Sequence, residues 1–181
     1  MIAVKAALLE TGVRFEYSEV ARSLGLSRSE AHAGALRCLQ ARLLVNRPEM
    51  VRPYPVANRT NLLEFLIHGV KYAFPPVHGG MARGVPTGHA APVLRKYFAE
   101  SEALPPVWPD PMGIVRGRAF EPLYRSAPKA ASLDPSMYEA LALIDAIRGG
   151  RARDREIAER LLGDVLMQSR DRHHEHQPRS T

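Results

Sequence analysis

Residues 17–45, YSEVARSLGLSRSEAHAGALRCLQARLLV, decide the fold. They predict two helices joined by a tight turn at Leu24-Gly25-Leu26. Ala21 is small where the first helix must approach the second. Gly25 can take a positive φ at low steric cost, as a sharp helix exit often requires. Ser27 is a good N-cap, and Glu30 three residues on completes a capping box. Ala31, Ala35, Cys38 and Leu39 then recur at helical spacing and form one buried stripe. Arg28, Ser29, His32, Ala33 and Arg37 fall mainly on the other side, facing solvent.

That pattern is a helix-turn-helix, a unit that can set its second helix into the DNA major groove. Ser27, Arg28, Ser29 and His32 are the expected base readers. Tyr17, Ser18 and Arg37 are the expected phosphate contacts. The closing LQARLLV at 39–45 resembles the end of the recognition helix in winged helix-turn-helix regulators, MarR-like in the broad sense. Arg42 stands where that family prefers glycine. The resemblance implies a bacterial DNA-binding regulator of transcription that acts as a homodimer. Autoregulatory or antitoxin-like roles are both open. The segments LLEFLIHGVKYAFP, WPDPMGIVRG and ALALIDAIRGGRARDREIAERLL resemble an uncharacterised bacterial family.

From Asn46 to Asn58 the chain carries three prolines with Arg47 and Arg52. Proline removes backbone donors, so this stretch cannot be a central strand. A short wing or a linker fits, and on a wing Arg47 and Arg52 would reach DNA. Residues 59–71 predict a helix whose apolar face holds Leu62, Leu63, Phe65, Leu66 and Val70. HGGMARGVPTGHAAP, residues 78–92, reads as a long structured loop. Residues 105–124 read as β, with Asp110-Pro111-Met112-Gly113 as the turn of a hairpin and 115–120 as a strand. Arg116 and Arg118 then share one face. Asp134-Pro135 opens a helix that Gly149-Gly150 ends, and 154–167 forms the last helix. The expected fold is therefore α+β and mainly α, with small β elements. Its expected units are a winged module over 1–50, an α+β partner or dimerisation region over 51–168, and a disordered polar tail over 169–181.

The formal charge is +6, and 21 of the 25 basic residues are arginine. Arginine suits bidentate contacts to phosphate and guanine. A GC-rich genome would write the same bias. No apolar run approaches the roughly 20 residues a membrane helix needs. The lone Cys38 cannot form an internal disulfide, which fits a reducing cytoplasm. A cytoplasmic, nucleoid-associated protein without cofactor or metal is the expectation. Two other classes stay open. One is a protein-docking adaptor that uses the winged module as a surface. The other is an enzyme built on His78, Arg83 and His89. That loop offers no nucleophile with a base at motif spacing and no carboxylate pair, so an enzyme is not expected.

Overall fold

The computed structural model describes residues 1–10, 13–46, 54–98 and 104–167. Helices dominate and the sheets are small, giving the α+β class. The chain opens with α1 (Ile2–Leu8), whose Ile2, Ala3, Val4, Ala6 and Ala7 are all buried. α2 (Tyr17–Leu24) and α3 (Arg28–Gln40) follow, and then a small antiparallel pair. This pair is β1 (Leu44–Asn46) with β2 (Pro55–Ala57), in the register Leu44 to Ala57 and Asn46 to Pro55. Arg47 and Arg52 lie outside the described residues, as does the tail from 168.

The helix expected over 59–71 runs as α4 (Arg59–Glu64), a π-helical turn at Phe65–Gly69, and α5 (Val70–Ala73). Asn58 caps it by accepting the Asn61 N–H at 3.3 Å. Gly69 fits the wider turn: a Cβ there would sit 2.9 Å from the Phe65 ring.

The stretch expected as a long loop is instead ordered structure, and this is a correction. It forms β3 (His78–Pro86), a 3-10 turn at Gly88–Ala90 and α6 (Pro92–Arg95). β4 (Pro106–Pro109) and β5 (Val115–Phe120) complete a miniature barrel in which each strand pairs with both others. The expected hairpin between these two is also corrected. Both run antiparallel to β3 and hence parallel to each other, with Val107 beside Ala119. Glycines allow so tight a closure. A Cβ on Gly84 would lie 1.8 Å from the Trp108 carbonyl oxygen. One on Gly117 would lie 2.1 Å from that of Pro105, and one on Gly113 would strike the Gly84 backbone.

α7 (Ala127–Leu133), α8 (Pro135–Gly149) and α9 (Ala152–Met167) finish the chain. Asp134 caps α8 by accepting the Ser136 and Met137 N–H groups at 2.9 and 3.2 Å. α8 is buried at Met137 and throughout 140–148, as befits a helix apolar nearly all round. One continuous core runs from Ile2 and Leu24 through Trp108 to Ile144 and Leu166.

Two polar devices tie the early helices to this frame. Lys5 Nζ meets Asp134 at 2.7 Å. Burial pushes the Asp134 carboxyl up, but Lys5 and the N–H groups of Met137 and Ser136 outweigh it and hold it low. The second is a hydrogen bond from Arg59 to the Leu166 carbonyl. A buried network lies deeper. Asp145 accepts from Thr87 Oγ1 at 2.9 Å, Trp108 Nε1 at 2.5 Å and Arg148 Nη1 at 2.6 Å. Arg148 also donates to the carbonyls of Phe74, Pro75 and Glu121. Burial raises Asp145 to about 6 against the pull of Arg148, Trp108 and Thr87. The Asp145 carboxylate is the counter-charge of the equally buried Arg148 guanidinium. This network locks the barrel onto α8.

Candidate nucleic-acid interface

The exposed helix α3 is framed by two chain reversals of one kind. At the end of α2, Leu26 N–H donates to the Ala21 carbonyl at 2.8 Å and Gly25 N–H to Arg22 at 3.2 Å. Gly25 sits in the left-handed region at φ 63°. This is a Schellman closure with glycine at its strained position. At the end of α3, Leu43 N–H donates to Cys38 at 2.9 Å and Arg42 N–H to Leu39 at 3.0 Å. It is the same closure, but Arg42 occupies the strained position at φ 56°.

The start of α3 is fixed by the expected capping box. Glu30 N–H donates to Ser27 Oγ at 3.2 Å, and Ser27 N–H donates to the Glu30 carboxylate at 2.8 Å. Glu30 also accepts from Tyr124 Oη at 3.1 Å and Arg125 Nη2 at 2.8 Å. The Ser27 backbone and hydroxyl, followed by Tyr124 and Arg125, hold its carboxyl at about 2, far below the usual 4.5. The N-terminal end of α3 is thereby clamped to the loop before α7.

Exposure along α3 divides the helix cleanly. Ala31, Gly34 and Ala35 are buried, while Arg28, Ser29, His32, Ala33, Leu36, Arg37 and Gln40 are exposed. These exposed positions recur at three- and four-residue spacing and make one continuous face. Gly34, a weak helix former, is explained by packing: a Cβ there would lie 2.3 Å from Ile2 Cδ1. Of the expected contact residues, Ser18 and Ser27 are also exposed. Tyr17 is half-buried. Its ring lies 5.3 Å from that of His32 and 5.3 Å from that of Phe15. The fold thus gathers Tyr17, Ser27, Arg28, Ser29, His32 and Arg37 around one helix.

Sequence reasoning missed Arg125, an exposed cation that the Glu30 clamp brings beside the start of α3. It lies 95 residues away in the chain, and no local pattern signals the approach. Leu36, 45% exposed in the middle of the face, was also missed.

Behind α3 lies a cavity of about 550 Å³, walled by α1, α3 and the helical run 59–73. Ile2, Gly34, Cys38, Phe65 and Leu66 line it, with Arg37 also on its wall. Burial pushes the Cys38 thiol up, which makes it a poor nucleophile. His78 and His89 do not converge. His78 begins β3 with its ring against Phe120, and His89 lies beyond the other end of β3 against Phe98. Among the described residues no group of three His, Cys, Asp or Glu side chains is placed to hold a metal ion. No helix among them is long and apolar enough to cross a membrane. Comparison with protein-family models, curated proteins and solved structures finds no match.

Proposed function

We propose that α1, α2 and α3 with β1 and β2 form a winged helix-turn-helix and that the protein is a sequence-specific DNA-binding regulator of transcription, acting as a homodimer. The observation that carries this reading is the exposed face of α3, polar at Arg28, Ser29, His32, Arg37 and Gln40, on a helix fixed at both ends. An α-helix of about 10–12 Å diameter fills a major groove about 12 Å wide. Arg28 in the first turn of α3 is in the place from which such helices reach base edges. Ser29 and His32 add short hydrogen-bonding groups on the same side. Ser18 at the start of α2 and Arg37 further along α3 take phosphates. β1 and β2 follow α3 as a wing would.

Replacing Arg28 by alanine tests the assignment. A lost bidentate base contact costs about 1–3 kcal/mol of discrimination. Binding to selected target duplexes should weaken by roughly that amount while the far-ultraviolet spectrum and melting temperature stay unchanged. Unaltered affinity and sequence preference would remove α3 from the role of base reader. Leu36 favours a second reading, in which this face docks a protein. A protein partner held equally well by wild type and by Arg28→Ala, with no DNA binding at low salt, would establish that alternative.

A further inference from the structure

The miniature barrel carries a second basic surface far along the chain from α3. In the pairing of β3 with β5, Arg83 stands opposite Arg116 and Met81 opposite Arg118. Cross-strand partners project from the same face, and Ile114 lies just before β5. All five side chains are exposed, Ile114 by 93% and Met81 by 56%. Among the described residues no carboxylate forms an ion pair with any of the three guanidinium groups.

Neither feature serves the fold. Like charges directly opposite on neighbouring strands are destabilising. The ribbon is held rigid by the glycine crossings at Gly84, Gly113 and Gly117. The arginines therefore extend from a fixed platform, which suits bidentate binding of phosphate. A nucleic-acid backbone presents a row of phosphates set on less polar sugars, complementary to arginines set around Met81. A lipid surface would need more apolar area than this for stable anchoring.

We propose that the β3–β5 face bearing Arg83, Arg116 and Arg118 is a second DNA-backbone contact surface, which adds sequence-independent affinity to the base-reading helix. It rests on the reading of α3 as that helix.

The test is a salt titration of the full-length chain on a mixed-sequence DNA duplex, followed by fluorescence anisotropy. Each phosphate contact contributes about 0.9 to the slope of log affinity against log salt. The R83Q/R116Q/R118Q variant should lower that slope by about 2–3, equally for every duplex. R83K/R116K/R118K should retain most of it. If the triple glutamine variant does not fold, Arg118→Gln alone decides, with an expected drop of about 1. An unchanged slope in a folded variant overturns the proposal. So does a loss confined to vesicles rich in phosphatidylserine while duplex binding is intact. If Arg28→Ala loses sequence preference while the ribbon variants bind as wild type, the ribbon inference alone fails. If the ribbon variants lose slope while Arg28→Ala changes nothing, the α3 reading alone fails.

Discussion

At the scale of single residues, Arg42 and Glu30 set the ends of α3. Arg42 is held at φ 56°, the only non-glycine positive φ among the described residues. That conformation costs an L-residue about 1–2 kcal/mol, partly offset for glycine by its greater freedom when unfolded. Arg42→Gly should therefore stabilise the protein by about 0.5–1 kcal/mol, raising the melting temperature by a few degrees. A lower melting temperature would show that the arginine side chain makes a compensating contact. Glu30 sets a pH dependence. Its carboxyl is lowered to about 2 from 4.5, so the clamp contributes fully above pH 4.5 and is lost as pH falls toward 2. In urea unfolding, the stability advantage of wild type over Glu30→Gln should be constant from pH 7 to pH 5 and close below that. An advantage independent of pH down to 2 would contradict the clamp. The capping box was legible in the sequence because its partners are three residues apart. The Tyr124 and Arg125 half of the clamp was not, because it is a tertiary contact.

At the scale of elements, legibility followed the range of the forces. α2, α3 and α8 each carry their own stop and start signals, so Gly25, Ser27 and Asp134 mark their ends correctly. β3 does not. Its His78-Gly-Gly-Met-Ala-Arg-Gly-Val-Pro text has the composition of a loop, and local propensity argues against a strand. Gly84 is there because the Trp108 backbone crosses it at contact distance, as that of Pro105 crosses Gly117 in β5, a constraint that exists only after folding. For the same reason the parallel arrangement of β4 and β5 could not be read from a Pro-Gly turn that ordinarily signals a hairpin. Gly84→Ala puts a methyl group 1.8 Å from a backbone oxygen that cannot swing aside. It should destabilise the chain by about 3 kcal/mol or more, at the upper end of overpacking costs. Thermal unfolding monitored by the single, fully buried Trp108 would measure it. A melting temperature within a degree of wild type would contradict the crossing geometry.

At the scale of the whole molecule, α8 is the buried centre, with α1, α5, α6, α7 and α9 packed against it. The core joins it to α1, α7 and α9, and Thr87, Trp108 and the Asp145–Arg148 pair tie the barrel to it. α3 stands at the periphery of this frame, touched by the later chain at Glu30 and along the cavity wall, with its outer face left open. The division between a buried frame and a presented helix underlies the regulator reading, and it places that reading's most direct test on the exposed face itself. Backbone amide chemical shifts should be followed while the intact protein is titrated with a DNA duplex at low salt. Perturbations concentrated at Arg28, Ser29, His32, Leu36 and Arg37, with the buried face of α8 unmoved, are the result this account predicts. Shifts that leave the α3 face untouched at saturating duplex, or no shifts at all, would contradict it.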